Sequence, residues 1–145
     1  MGESVFSLIA QKEFDSDLTV FEDDSTFSQI SLHQKPKNRG HVLVIPKMQV
    51  KDIYELPAEL DASLMSAIRL MSRVVKRAFN ADGIQVRQNN EAAAGQDVFH
   101  LHFHIIPRFS GDQFDENSYE EVLRQERSEQ AELLKREVKY ELANT

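Results

Sequence analysis

The chain contains no cysteine, which removes disulfides, thiolate metal sites and thiol nucleophiles together. Long apolar runs are also missing. The best, "HVLVIP" and "HIIP", fall far below the roughly 20 residues needed to span a bilayer, so no membrane partner is expected. The start, "MGESVFSLIAQKEF", shows no basic stretch followed by an apolar segment, and its partial match to a myristoylation signal breaks at Phe6. A cytoplasmic protein is expected. There is no glycine-rich phosphate loop of the Walker or dinucleotide type, so any phosphate chemistry must use other residues. A net charge of −7 argues against a nucleic-acid partner.

What is present suits one compact domain: 145 residues, of which 41% are hydrophobic. Charge is unevenly spread. Lys12 is the single base among the acids of residues 1–32, whereas Lys35, Lys37, Arg39, Lys47 and Lys51 follow one another with no acid between them. That run reads equally as an approach path for an anionic ligand or as solvated surface.

"LTVFEDD" and "TFSQISL" read as two strands around the turn-forming "DDS", and "HVLVIP" as a third ended by Pro46. The polar "HQKPKNRG" between the second and third reads as a connecting loop. Residues 57–79 predict a helix, with Leu60, Leu64, Ile68, Met71, Val75 and Phe79 on one stripe and Arg73, Lys76 and Arg77 suited to its C-terminal dipole. "ADG" ends it, "IQVRQ" alternates as a strand, "NNEAAAG" is a loop, and "VFHLHFHII" is the next strand, closed by Pro107. Residues 117–141 predict a charged helix with a weak stripe of Tyr119, Leu123, Leu134 and Val138. Strands on either side of one long helix favour an α+β domain with a mainly antiparallel sheet.

Three of the chain's 5 histidines fall in "HLHFHII", at every second position. On a strand, His100, His102 and His104 then share one face while Leu101, Phe103 and Ile105 take the other. Same-face neighbours lie roughly 6 to 7 Å apart, close enough for three rings to bracket one small group. Imidazoles so placed can hold a metal, with Asp97, His41 or His33 as a further ligand. They can equally act in nucleophilic catalysis, one ring attacking phosphorus while its neighbours bind oxygens, and their crowding disfavours charging all of them. The bland alternative is a set of structural histidines satisfied by the backbone. Three on one face favour a site.

These residues resemble the histidine triad pattern His-φ-His-φ-His-φ-φ, with φ apolar, that names the HIT superfamily of nucleotide hydrolases and transferases. "VFEDD", "GHVLVIPK", "VKDIYEL" and "QNNEAAAGQDVFHLHFHIIPR" are similar to the matching segments of small bacterial members, over roughly residues 4–108. The resemblance implies a HIT-like fold with a five-stranded, mainly antiparallel sheet and one long helix, usually as a homodimer. It divides the chain into a HIT domain at 1–110 and a C-terminal helical extension at 111–145, packed on the same domain.

The same resemblance implies His102 as the nucleophile toward the α-phosphorus of a purine nucleotide, His104 as the group that binds a non-bridging oxygen, and His100 as the residue that orients the cluster. His41, Asn89, Gly95, Gln96, Asp97 and His33 would bind substrate, and Val5, Phe6, Ile9 and Leu43 would line the base pocket. Gly95, lacking a Cβ, would let backbone amides approach phosphate. No cofactor is implied. The expected activity is hydrolysis of a phosphoanhydride or phosphoramidate bond; the rivals are a nucleotide-binding or sensing protein with little turnover and, more weakly, a metalloenzyme.

There are three departures from the pattern. "SVFS" puts Ser4 and Ser7 where many bacterial relatives carry the cysteines of a structural zinc site, which predicts no such site. His33 stands where Asp or Asn usually holds the ribose hydroxyls, and Asp97 where Ser or Thr lies near phosphate.

Overall fold

The computed structural model describes residues 4–10 and 16–145; residues 1–3, which begin the partial lipidation signal, lie outside them. A short helix α1, Val5–Ala10, precedes strands β1 (Thr19–Glu22), β2 (Thr26–Ile30), β3 (His33–Gln34) and β4 (Val42–Pro46). Helix α2, Asp61–Ala78, leads to β5 (Gly83–Arg87) and β6 (Phe103–Arg108), followed by β7 (Glu120–Glu121) and helix α3, Arg124–Ala143. The main sheet has, as expected, five antiparallel strands; their order is β1-β2-β4-β6-β5, and β3 pairs with β7 in a separate two-stranded ribbon.

The local chemistry of each turn explains much of this path. Asp23 Oδ1 accepts from the backbone N–H of Ser25 and Thr26 at 2.9 and 2.8 Å, an Asx-type turn that closes the β1–β2 hairpin. Pro57 leads into one 3₁₀ turn, Ala58–Leu60, before α2 begins at Asp61, so the predicted helix starts four residues late. Its stripe is as read: Leu64, Ile68, Met71 and Val75 are buried, joined by Ala67 and Val74. They pack on Val42, Val44, Leu101 and Ile105 from one face of the sheet, each fully buried aliphatic contributing roughly 1.5–3 kcal/mol. The helix stops at Ala78, just ahead of "ADG", and Asn80 takes a φ of 53°, the left-handed geometry of a helix stop. Phe79 then lies against Gly40 (φ 106°), where a Cβ would meet the ring at 2.4 Å.

The expected strand at 98–106 is regular only from Phe103. Before that point side-chain and loop partners replace the ladder: His100 Nε2 donates to the Pro46 carbonyl at 2.8 Å, and Leu101 N–H donates to Val50 O at 2.8 Å. Alternation survives even so, with Leu101 and Ile105 buried against α2 and the histidines on the opposite side.

The C-terminal helix is shorter at its start than the charge pattern suggests. Residues 117–123 are extended because β7 pairs His33 with Glu121, and Val122 N–H donates to Leu32 O at 2.9 Å. Part of "HQKPKNRG" is therefore strand rather than loop. Leu123 is 77% exposed, so only Ala131, Leu134 and Val138 form the apolar face that α3 buries against α2 and the sheet. A buried amide pair fixes α3 to β3: Gln34 Nε2 donates to Gln130 Oε1 at 2.9 Å, and Gln130 Nε2 donates back to Gln34 Oε1 at 3.0 Å. Gln34 completes its bonding with Ser31 O and Gly40 N–H, leaving no polar atom unmatched.

Candidate active site

Register alone builds the floor of the site. Gln29 pairs with Leu43, Leu43 with His104, and His104 with Arg87, so four side chains from β2, β4, β6 and β5 line up across one face. All four border a cavity of about 610 Å³. Its walls are α1 (Val5, Phe6, Ile9), the segment after β2 (Ser31, Leu32, His33), the loop before β6 (Asn89, Gly95, Asp97, Val98) and Tyr119 from the C-terminal region. A row of rings crosses it: Phe6 to His102 at 5.1 Å, His102 to His104 at 5.0 Å, His104 to His41 at 5.0 Å and His41 to Tyr119 at 6.1 Å between centroids.

Hydrogen bonds assign most of the protons. His102 Nδ1 lies 2.7 Å from the His100 carbonyl, which only accepts, so Nδ1 carries the proton. A neutral His102 therefore keeps a lone pair on Nε2, which has no hydrogen-bond partner among the described residues. His100 is arranged the other way round: Nε2 donates to Pro46 O, and Nδ1 accepts from Ser4 Oγ at 2.6 Å. His41 Nε2 and His104 Nδ1 share one proton at 2.9 Å.

All four of these histidines are held in the neutral form, primarily by burial. His104 is pushed down to about 3, with the nearby His102 and Arg87 adding to the effect of burial. Burial lowers His41 well below the usual imidazole value, helped by His104, Arg87 and His102. His102 and His100 are lowered for the same first reason, each partly offset by its backbone hydrogen bond.

Of the residues expected to bind or act, Phe6, Ile9, His33, His41, Leu43, Asn89, Gly95, Asp97, His102 and His104 come together around the cavity, with Val5. His100 and Gln96 do not border it. His100 is fully buried behind His102. Gln96 is turned inward, its Oε1 accepting from Glu91 N–H at 2.7 Å and its Nε2 donating to Lys51 O at 2.7 Å, so it ties the loop rather than facing a ligand. Gly95 (φ 94°) does need its missing Cβ, which would sit 3.3 Å from Asn89 Nδ2. Its N–H, however, is spent on Ala92 O at 3.0 Å, so the close approach serves Asn89 packing.

The basic run does not supply the pocket's charge. Arg39 pairs with Glu120 and Glu126, Lys47 with Glu22, Lys37 bonds Gln113, and Lys35 is packed on Phe114 and Tyr119. The cation that borders the cavity is Arg87, which sequence reading passed over, as it did Tyr119, Gln29 and Val98. Alternation in "IQVRQ" was a usable signal for Arg87, once β5 is known to lie beside the triad strand.

Around Ser4 and Ser7 the polar groups are joined by hydrogen bonds. Ser4 Oγ donates to His100, Ser7 Oγ donates to Gln49 Oε1 at 2.8 Å, and Ser4 N–H donates to the same oxygen at 3.0 Å. Two hydroxyls, an amide and one imidazole, already bonded to one another, do not fit a zinc ion. Among the described residues no group of three His, Cys, Asp or Glu side chains is placed to hold a metal. The cluster instead pins α1, and with it Phe6, against His100 and His102.

Comparison with known proteins gives a consistent pattern. A family model described as "HIT domain" matches residues 11–111. Protein hit of Bacillus subtilis is 38% identical over 96 residues, covering 66% of this chain and 65% of that one. An adenylylsulfatase of Arabidopsis thaliana is 38% identical over 63% of this chain and 45% of its own length. A bis(5'-adenosyl)-triphosphatase of Dictyostelium discoideum is 38% identical over 70% and 68%. Among solved structures, a Hit-like protein of Bartonella henselae superposes with a TM-score of 0.81 at 33% identity, covering 93% of this chain and 96% of that one. A zinc-bound histidine triad protein of Mycobacterium smegmatis gives 0.84 at 28%, covering 99% and 98%.

Proposed function

Because the chain belongs to the HIT family, in which some members hydrolyse nucleotides, we propose that it hydrolyses a phosphoanhydride or phosphoramidate bond of a purine nucleotide through a covalent intermediate on His102. The observation that carries this reading is the His102–His100 carbonyl bond, which fixes the proton on Nδ1 and offers Nε2 to the cavity as a nucleophile.

In the proposed sequence Nε2 attacks the α-phosphorus, a P–N bond forms, and the bond from phosphorus to the leaving group breaks with its electron pair departing on that group, which takes up a proton from solvent when it is an amine. Water then attacks phosphorus, the P–N bond breaks, the electron pair returns to Nε2, and a nucleoside monophosphate is released with the water proton passing to solvent. When His41 Nε2–H donates to His104 Nδ1, His104 presents Nε2–H to a non-bridging oxygen, the charge that grows in the transition state. Phe6, Ile9 and Leu43 would hold the base, and Asn89 the phosphate end. The exposed His33 offers one hydrogen bond to ribose rather than the two a carboxylate can accept.

A homodimer belongs to the same proposal. Strand β5 ends the sheet with an open edge, and Val86 on it is 47% exposed.

Release of AMP from diadenosine triphosphate and from an adenosine phosphoramidate tests the activity. His102→Asn is expected to lower kcat by about 10⁴-fold or more. Equal turnover by variant and parent would sink the assignment, and tight nucleotide binding without any adenylylated histidine would favour a sensing protein instead.

A further inference from the structure

Among the described residues Arg87 forms no direct ion pair, although Asp97 borders the same cavity. Its guanidinium Nε is buried with no hydrogen-bond partner, and one terminal nitrogen donates to the Tyr119 hydroxyl at 2.9 Å. Among the described residues no carboxylate pairs with it. A guanidinium nitrogen buried without a partner is costly unless something completes its bonding. Its position says what that would be. Arg87 is the cross-strand partner of His104 and shares the cavity with His102, Asn89 and Asp97.

Tyr119 is not a loose lid over this group. Its ring lies 6.4 Å from Phe114 and 4.8 Å from Lys35 Nζ, while Lys35 also donates to Asn117 O. Phe114 is in turn covered by Arg108 at 4.2 Å, and Arg108 is paired with Asp112 at 2.7 Å. The segment is thus braced, and the phenol holds the guanidinium at one fixed end of the ring row, opposite Phe6. With a base at the Phe6 end and the scissile phosphorus at His102, the atoms beyond the scissile bond fall on the Arg87 side.

We propose that Arg87, positioned by Tyr119, is a specificity-determining residue that binds an oxyanion on the leaving group, so that the site prefers nucleotides whose leaving group is anionic over those that release a cationic amine. This rests on the hydrolase reading above. In the step concerned, the P–O bond breaks with its electron pair going to the leaving oxygen, and the guanidinium donates hydrogen bonds to the negative charge that collects there.

The test compares kcat/KM for diadenosine triphosphate and adenosine 5'-phosphosulfate with that for an adenosine phosphoramidate of a lysine-type amine. In Arg87→Gln the anionic-to-amine ratio is expected to fall about thirtyfold, the size of a lost hydrogen bond to a charged group. Arg87→Lys should recover part of it, and Tyr119→Phe, which keeps the ring and loses only the hydroxyl, should cost about fivefold. A ratio within twofold of the parent for both anionic substrates overturns the proposal; a fall for one alone supports it and tells phosphate from sulfate. Should the wild-type protein turn over none of these, the hydrolase reading fails and titration with ADP and AMP decides this one. A preference for ADP that disappears in Arg87→Gln supports the anion site, and no such dependence overturns it.

Discussion

At one end of the cavity Phe6, Ile9 and Leu43 run into a small apolar cluster with Phe27 and Ile45, whereas at the other His41, His104, Arg87 and Tyr119 meet as polar rings and a cation. The first end is closed by a six-residue helix held by Ser4, Ser7 and Gln49, the second by a braced segment that follows the triad strand. His102 sits between them, its ring 5.1 Å from Phe6 and 5.0 Å from His104. On the proposed reading, the difference separates two jobs that a single nucleotide demands. A flat, weakly polar body is gripped by area, and a phosphate in reaction is stabilised by aligned donors.

If that division holds, damage at the two ends should show in different constants. His104→Ala, at the polar end, carries the largest expected effect: kcat falls about 10²–10³-fold, as for loss of an oxyanion donor, while AMP affinity measured by calorimetry changes little. Phe6→Ala, at the apolar end, should do the converse, weakening AMP binding about tenfold to thirtyfold through lost aromatic burial with kcat nearly intact. Matching losses in both constants for both variants would erase the distinction.

The smallest effect needs no mutation. Because burial lowers His41, His100, His102 and His104 from 6.5, the unfolded chain binds protons that the folded chain refuses as pH falls below that value. Stability present above pH 6.5 is then lost on the way down toward about 3, the value of His104. Urea midpoints should hold between pH 8 and 7 and decline from 6.5 to 5. The acid limb of kcat/KM should lie below 6.5, since His102 stays neutral there; a limb at or above 6.5 would contradict the proposal that a buried, neutral His102 is the nucleophile.

How much of this was legible in the sequence follows from the range of the forces involved. The α2 stripe, the β1–β2 hairpin and the alternation around His102 are set by neighbours a few residues away, and they read correctly. The five-stranded antiparallel sheet entered through the family pattern. Contacts between distant parts were not legible. Nothing near Asn117–Leu123 announces that it will pair with His33 instead of coiling, and its charge pattern favours helix. Nor does the local sequence say that a carbonyl at Pro46 will capture His100 and delay the strand. Arg87 and Tyr119 escaped for the same reason: their meeting spans 32 positions of chain and depends on β5 lying beside β6. Gln96 shows the reverse case, a residue expected to face a ligand whose amide instead bonds Glu91 in its own loop and Lys51 in the segment after β4.

The reciprocal amide pair of Gln34 and Gln130 bears on how this chain can be cut. It bolts a helix beyond the family-matched residues to the ribbon that carries His33, and Gln34 in turn holds the N–H of Gly40, next to His41. Trimming the tail would therefore not simply shorten the molecule. It would strand a buried amide one hydrogen bond from the turn that seats a pocket histidine, and take Tyr119 from the wall. The family match ends at residue 111, whereas the contacts that seat the pocket reach on to Tyr119 and Gln130.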